Sequence, residues 1–339
     1  MSMTNSVRDF VSRMAPLDEF PVIEKREFVL CFPPSRAALA HALAADGAGH
    51  FYLNPVKVGE FSDGEPNVVI PHLHRFTRQH VLYIADWSKA AVRYLDMCAL
   101  IPMAELGPAS LTIVVPFFGT ATMEREVFEG SVATANVDAK LLSRLPGTPH
   151  VITIDLHTQQ NQFFYHDCVV SLHSTMPFAR NIIIDQARAS LSASKKPAVV
   201  VAFPDDGAHK RFAAYFDDCD IAICAKVRDG DKRRVQLNDG DVKGKDVLIV
   251  DDLVRSGGTL IECAKVLKQC GALSIKIFVP HACFPKGEYV KFVDGENAAL
   301  IDKFYITDSV TASVDKIRAL NSPKFEIISL AKILLTLLN

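Results

Sequence analysis

Val247-Leu-Ile-Val-Asp251-Asp252-Leu-Val-Arg255-Ser256-Gly257-Gly258-Thr259-Leu-Ile261 constrains the fold of this chain more than any other segment. It joins an apolar run, two acids, a short loop of glycine and hydroxyl residues, and a helical pattern. An unbroken apolar run predicts a parallel strand that is buried on both faces. The two acids then follow the carboxyl end of that strand, where open α/β sheets bind their ligands.

The loop after this strand has the composition of an anion site. Gly257 and Gly258 let the backbone approach an anion closely, and Thr259 begins a helix whose first N–H groups and dipole favour a phosphate. Asp251 and Asp252 lie beside that phosphate, so they suit sugar hydroxyls or a metal instead. The segment therefore predicts a sugar phosphate with its 5-phosphate in the loop. The alternative is an ordinary strand, turn and helix with solvated acids.

Length and charge limit the classes of function. A chain of 339 residues with 49% hydrophobic residues is long enough for two domains with separate cores. The formal charge of −2 argues against a surface built for nucleic acid. We therefore expect no nucleic-acid partner, and any anion site must be local.

Compartment signals are weak. The 8 cysteines include no C-x-x-C pair, which favours a reducing compartment. Residues 1–20 lack the apolar core of a signal peptide, and no run reaches transmembrane length, so we expect no membrane partner. These features predict a cytoplasmic protein. Arg8 and Arg13 leave organelle targeting by the N-terminal arm open as an alternative.

Short apolar strands alternate with helical patterns along the chain, which predicts an α/β fold with mostly parallel sheets flanked by helices. The best boundary lies near Ser171–Met176. It predicts an N-terminal domain over residues 1–172 and a C-terminal domain over 173–339 that carries the sugar phosphate loop. The charged run at residues 228–234 predicts either a solvated hairpin or a mobile basic lid over a phosphate site.

Polar side chains also follow three other predicted strands. His157 follows one strand, Asp205 the next, and Lys226 and Arg228 close a third. Together with the two acids, these strand ends predict a polyphosphate site with Mg²⁺, since oxygen and nitrogen ligands suit the metal and cations suit phosphoryl charge. His157 taken alone is more typical of a structural histidine. Arg211, in the helix after Asp205, is consistent with simple solvated charge.

Two segments of the first half carry weaker signals. Phe61-Ser-Asp63-Gly-Glu65 is a turn with an aromatic residue and two acids, and a plain surface turn is the favoured interpretation from the residues alone. Phe117-Phe-Gly119-Thr-Ala-Thr-Met123-Glu-Arg125 follows an apolar strand and is placed to border a cleft.

These motifs together resemble the ribose-phosphate pyrophosphokinases, also called phosphoribosyl pyrophosphate synthetases. The resemblance is collinear from about Phe51 to the C-terminus. The segment from Asp251 to Thr259 is shared with type I phosphoribosyltransferases, whereas the other motifs are more specific. The stretches around Arg125 and Lys226 resemble the plant-type class of the family.

The resemblance implies two phosphoribosyltransferase-like, Rossmann-like domains and a reaction between Mg²⁺-bound ATP and ribose 5-phosphate. It implies that the anomeric hydroxyl attacks the β-phosphorus, so that phosphoribosyl pyrophosphate and AMP form for nucleotide biosynthesis. It also implies a homo-oligomer. The resemblance implies that His157 and Asp205 hold the metal and that Lys226 and Arg228 are catalytic. It implies that ribose 5-phosphate is bound by Asp251, Asp252, Ser256, Gly257, Gly258 and Thr259. It implies that the nucleotide is bound by Phe61, Asp63, Glu65 and Arg125.

Two departures from the common class stand out. Thr122-Met123 replaces an Arg-Gln pair at the nucleotide, so other nucleoside triphosphates stay open as donors, and Arg255 replaces an acid of the sugar phosphate loop. Two other functions also stay open. A phosphoribosyltransferase would explain the Asp251 loop but not the Phe61 and His157 motifs, and a non-catalytic homologue would tend to lose the metal ligands and the basic residues that this chain keeps.

Overall fold

The computed structural model describes residues 28–47, 49–189, 199–229 and 232–338. The side chains of residues 185–189, 226–229 and 232–234 lie outside this description. The N-terminal arm, with Arg8 and Arg13, also lies outside the described residues.

The chain divides into two compact units. The N-terminal unit contains the described residues up to Ser174, together with Ser309–Thr311 and residues 329–338. The C-terminal unit contains Thr175–Asp308 and Ala312–Ile328. Two short segments late in the sequence therefore belong to the N-terminal unit.

A parallel sheet organises the N-terminal unit. Its strands are β1 (Phe28–Phe32), β2 (Phe51–Pro55), β5 (His80–Ile84), β6 (Ser110–Val115), β7 (His150–Ile154) and β8 (Val169–His173). Their order in the sheet is β2-β1-β5-β6-β7-β8, and each neighbouring pair is parallel. A separate antiparallel hairpin consists of β3 (Lys57–Glu60) and β4 (Pro66–Val69). The helices are α1 (Ala37–Asp46), α2 (Ala90–Glu105), α3 (Thr134–Ser143) and, from the end of the chain, α8 (Ala331–Leu338).

The C-terminal unit contains a larger sheet. Its strands are β9 (Val199–Phe203), β10 (Asp220–Asp229), β11 (Lys232–Asp239), β12 (Asp246–Val250), β14 (Ser274–Val279), β16 (Lys303–Thr307) and β17 (Phe325–Ile328). Their order in the sheet is β11-β10-β9-β12-β14-β16-β17. Neighbours are parallel except β10 and β11. A short parallel pair joins β13 (Leu253–Val254) to β15 (His281–Ala282). The helices are α4 (Met176–Ala189), α5 (Asp206–Phe212), α6 (Gly258–Gln269) and α7 (Thr311–Ala319), whose first residue is assigned to the other unit.

The position of strand β12 between two cores explains why its sequence is apolar at every residue and does not alternate. Val247 and Ile249 point into a core that α6 covers, whereas Leu248 and Val250 point into a second core with residues of α4 and α5. Both faces of the strand are buried, so every position favours an apolar side chain. The polar residues are thereby confined to the end of the strand.

This architecture confirms the predicted α/β class with mostly parallel sheets flanked by helices. Within the described part of the chain, no helix has the length and apolar character needed to cross a membrane. All eight cysteines are free thiols.

Candidate active site

Three carboxylates lie at the carboxyl ends of two neighbouring strands in the C-terminal unit. Asp205 follows β9, and Asp251 and Asp252 follow β12, which pairs directly with β9. The Oδ1 atom of Asp205 accepts a 3.1 Å hydrogen bond from the Ala208 N–H, so Asp205 caps the start of α5. The Oδ1 atom of Asp251 accepts a 2.9 Å bond from the Asp252 N–H. The sheet edge therefore gathers acidic oxygens, as the sequence predicted.

The electrostatics of these acids show that they are close enough to interact. Burial raises the pKa of Asp251, and the negative charges of Asp252 and Asp205 raise it further. A cation at this edge would relieve that repulsion. Asp252 itself is 4% exposed, so its carboxylate depends on partners inside the protein.

The predicted anion loop follows these acids. Gly257 has φ +74° and ψ −1°, a left-handed conformation that glycine adopts without strain, and α6 begins at the next residue. A Cβ atom at Gly257 would lie 2.5 Å from the Phe292 ring, so the site also lacks room for a side chain. The first N–H groups of an α-helix have no partner within the helix. The start of α6 at Gly258 and Thr259 therefore suits a phosphate.

Cations flank the same loop. The Lys291 ammonium donates a 3.3 Å hydrogen bond to the Ser256 carbonyl oxygen. Arg255 is exposed, and its positive charge opposes the rise in the pKa of Cys283, which burial raises to about 12. The sequence singled out Arg255 but missed Lys291, because Lys291 lies 35 residues beyond its partner.

Arg211 is not the solvated charge that the sequence suggested. Its Nη1 atom lies 2.8 Å from the Oδ2 atom of Asp252, and the two side chains are only 16% and 6% exposed. The guanidinium carbon also lies 4.6 Å from the centre of the Phe212 ring. A cation of α5 therefore contacts one of the two acids predicted for the sugar.

The two predicted catalytic residues, Lys226 and Arg228, lie on β10 next to β9. Their side chains are outside the described part of the structure. The backbone of β10 turns back as an antiparallel hairpin, with Lys226 opposite Val235 and Arg228 opposite Arg233.

In the N-terminal unit, the predicted metal ligand His157 follows β7 and is exposed. The turn before it is fixed by Asp155, which is buried with φ +41°. Its Oδ1 atom accepts a 2.6 Å hydrogen bond from the Ser174 hydroxyl, and its N–H donates to the His173 carbonyl. A buried acid thus shapes the turn and leaves the histidine at the surface of its unit.

The loop that carries Arg125 follows the neighbouring strand β6. Asn161 ties it to the His157 turn by donating a 2.9 Å hydrogen bond to the Ala121 carbonyl. Asp138 accepts a 2.7 Å bond from the Thr120 hydroxyl and pairs with Arg93 at 3.1 Å. Arg125 itself has a side chain that is 83% exposed and lies 3.8 Å from Glu124. The loop is held at its base, and its cation faces outward.

Phe61, Asp63 and Glu65 form the tip of the β3–β4 hairpin. The Phe61 N–H donates to the Glu65 carbonyl, and the Glu65 N–H donates to the Asp63 carboxylate at 3.2 Å. Phe61 is 56% exposed within its own chain. The structure therefore places these residues on an exposed turn closed by hydrogen bonds, and their role at a nucleotide stays a prediction.

The structure thus brings together Asp205, Asp251, Asp252 and the loop of Ser256–Thr259 within one unit. The other predicted site residues of the first half, including His157, belong to the N-terminal unit. Among the described residues, no group of three or more His, Cys, Asp or Glu side chains is arranged as a metal site.

Comparisons with known proteins agree with this arrangement. The phosphoribosyl transferase domain family matches residues 173–302. Ribose-phosphate pyrophosphokinase 4 of Arabidopsis thaliana is 38% identical over 316 residues, which is 91% of this chain and 91% of that protein. A mitochondrial ribose-phosphate pyrophosphokinase 3 of Spinacia oleracea is 36% identical and covers 94% of this chain and 78% of its own length.

A solved structure supports the fold. The phosphoribosylpyrophosphate synthetase of Mycobacterium smegmatis superimposes with a TM-score of 0.76 at 20% identity, over 92% of this chain and 98% of that one. The sequence similarity to the plant enzymes extends over more than 90% of this chain and therefore includes both units. This chain therefore belongs to the ribose-phosphate pyrophosphokinase family.

Proposed function

We propose that this ribose-phosphate pyrophosphokinase transfers the β,γ-diphosphoryl group of ATP to the anomeric hydroxyl of ribose 5-phosphate, with AMP as the leaving group. The observation that carries the proposal is the meeting of Asp205, Asp251 and Asp252 at one sheet edge, directly before an open phosphate loop. A phosphoribosyltransferase would share the loop. Family membership over both units favours the diphosphoryl transfer.

Ribose 5-phosphate binds, in this proposal, along the strand end and loop of the C-terminal unit. Ser256, Gly257, Gly258 and Thr259 hold the 5-phosphate through backbone N–H groups and hydroxyls. Asp251 and Asp252 accept hydrogen bonds from the ribose hydroxyls, which suits acids that lie beside the phosphate.

Ribose-phosphate pyrophosphokinases are phosphoryl-transfer enzymes that need a metal ion. We propose that the ion is Mg²⁺ and that His157 and Asp205 hold it. The charge of Asp205 raises the pKa of the nearby Asp251, so a cation bound at Asp205 would relieve this repulsion. Mg²⁺ commonly takes one or two protein ligands and fills its other positions with phosphate oxygens and water. The ion would neutralise charge on the triphosphate.

Lys226 and Arg228 stabilise the transferring phosphoryl group, and no covalent nucleophile is needed because positioning and charge neutralisation suffice. Lys226→Ala is expected to lower turnover on the order of 10²–10³-fold, as for the loss of one preorganised donor to transition-state charge. Its effect on ribose 5-phosphate binding should be small. Lys243→Ala, a change of an exposed lysine in the same unit, is the matched control.

We assign Phe61, Asp63, Glu65 and Arg125 to the nucleotide. Phe61 is 56% exposed within its own chain, which fits a role at the nucleotide of a neighbouring subunit. We therefore propose a homo-oligomer. In each chain we propose an N-terminal domain over residues 1–172 and a C-terminal domain over 173–339, with the late segments Ser309–Thr311 and 329–338 packed in the unit of the first domain. Neither nucleic acid nor membrane is needed as a partner. A cytoplasmic location is proposed, with an organelle as the alternative that the mitochondrial name of the spinach relative suggests.

The test is an assay of AMP release by purified protein with Mg²⁺, ATP and ribose 5-phosphate. AMP should form only when both substrates are present. Phosphoribosyl transfer to a purine or pyrimidine base, without AMP release, would instead establish a phosphoribosyltransferase. Loss of both activities, with binding to an active homologue, would indicate a regulatory subunit. A panel of nucleoside triphosphates with and without inorganic phosphate would then define the donor range.

A further inference from the structure

A helix links the acid proposed for the metal to an acid proposed for the pentose. Helix α5 begins at the cap formed by Asp205 and carries Arg211 in its last turn. Arg211 reaches Asp252 across 41 residues of sequence with a 2.8 Å contact. A rigid one-helix connection therefore sets the position of a cation against the Asp252 carboxylate.

The ion pair between Arg211 and Asp252 is largely buried. Asp252 and Arg211 are both largely removed from water, with side chains 6% and 16% exposed. A carboxylate in such a place is stable in its charged form only when a partner compensates its lost hydration. The planar guanidinium also restricts the direction from which it can donate, so it orients the acid as well as neutralising it.

The other two acids at this edge have a different environment. Burial and the charges of Asp252 and Asp205 raise the pKa of Asp251. Asp205 uses one oxygen atom to cap α5. The ion pair with Arg211 holds the Asp252 carboxylate in a fixed plane next to the phosphate loop.

We propose that Arg211 is a positioning residue for pentose recognition: it fixes the Asp252 carboxylate in the orientation that accepts a ribose hydroxyl. This inference rests on the proposed function, because it assigns Asp252 to the sugar. Arg211 acts through Asp252 and not on the phosphoryl group. Its loss should therefore weaken the pentose phosphate and leave the nucleotide nearly unaffected.

The first experiment measures binding of ribose 5-phosphate by calorimetry and the KM values of both substrates. Arg211→Met should raise the dissociation constant and the KM for ribose 5-phosphate about tenfold or more, which corresponds to about 1.4 kcal/mol. The KM for ATP should change less than about twofold. Arg211→Lys should recover part of the loss, since a lysine keeps the charge but not the planar fork. Lys210→Met, which removes the exposed cation next to it, should behave as wild type.

A second readout separates positioning from general damage. In the wild type, 2-deoxyribose 5-phosphate or 3-deoxyribose 5-phosphate should bind more weakly than ribose 5-phosphate, because one hydroxyl contact is lost. In Arg211→Met, the penalty for removing the hydroxyl that Asp252 holds should nearly disappear. Two changes that remove the same interaction are not additive. A general defect of the unit would weaken all three sugars by the same factor.

The inference is overturned if Arg211→Met weakens all three sugars equally, or if it leaves binding of ribose 5-phosphate unchanged. If Arg211→Met does not fold, the dissociation constants of the two deoxy sugars relative to that of ribose 5-phosphate are measured for Arg211→Lys instead. Binding is measured apart from turnover, so the two proposals fail differently. A wild type that binds ribose 5-phosphate with hydroxyl discrimination but releases no AMP would refute the proposed function and not the role of Arg211.

Discussion

Gly257→Ala tests the geometry of the phosphate loop most sharply. Gly257 has φ +74°, and an added Cβ would lie 2.5 Å from the Phe292 ring. That ring is fully buried and lies 4.9 Å from the Phe304 ring and 5.8 Å from the Phe284 ring, measured between centroids. The Phe292 ring cannot shift far without contacting these neighbours, so the backbone of the loop must move instead.

The magnitude follows from two contributions. A left-handed conformation of a residue other than glycine costs roughly 1–2 kcal/mol. Overpacking against a buried ring adds typically about 1–3 kcal/mol. We therefore expect the substitution to lower the free energy of unfolding by about 2–5 kcal/mol, with the KM for ribose 5-phosphate raised roughly tenfold or more.

Urea unfolding and steady-state kinetics with each substrate measure these effects. The matched control is Gly287→Ala. Gly287 has nearly the same backbone angles, φ +75° and ψ +28°, but the nearest atoms to its added Cβ lie at 3.8 Å, an ordinary contact. It should show the backbone penalty alone and no change in KM. Equal losses of stability and equal KM values in the two variants would refute the reasoning.

Three further predictions concern charged groups. Arg36→Met should lower the free energy of unfolding in urea by about 3–5 kcal/mol, because it leaves the buried carboxylate of Asp86 without its cation. Arg318→Met, at an exposed ion pair, should lower it by less than roughly 1 kcal/mol. Equal losses in the two variants would contradict this prediction. Lys291→Met should raise the KM for ribose 5-phosphate severalfold because it releases the Ser256 carbonyl, whereas Lys286→Met, a nearby exposed cation, should not. Burial raises the pKa of Asp96 from 3.8 to about 7, so the folded state holds a proton that the unfolded state releases. Stability should therefore fall as pH rises from about 4 to 7 and then level off, and Asp96→Asn should remove that slope; parallel pH profiles of the two proteins would show that this acid is not the cause.

Strands buried on both faces were predictable from the sequence, whereas two strands with exposed positions were not. The apolar runs at Val199–Phe203 and at residues 247–250 gave strands within one residue of the observed bounds. Strands β8 and β11 were not predicted. In β8, Ser171 and His173 interrupt the apolar residues. In β11, the exposed residues Gln236, Asn238 and Asp239 do so. Helix α2 extends to Glu105 through Pro102, whereas the helical pattern of the sequence predicted an end at Ala99.

The candidate site was predictable where its chemistry is consecutive in the chain. The segment from Asp251 to Thr259 contains the two acids, the loop and the start of the helix, so its local pattern was sufficient to predict this part of the site. Arg211 could not be assigned, because a cation near a helix end has the same sequence pattern whether it is solvated or paired. Only the pairing of β9 with β12 brings it to Asp252.

The central claim is that the β,γ-diphosphoryl group moves intact to the pentose. Phosphorus-31 NMR of the complete reaction with Mg²⁺, ATP and ribose 5-phosphate tests it directly. The account predicts AMP and phosphoribosyl pyrophosphate in equal amounts, with no ADP as a product. Formation of ADP with a ribose bisphosphate would contradict it, since that result requires transfer of a single phosphoryl group.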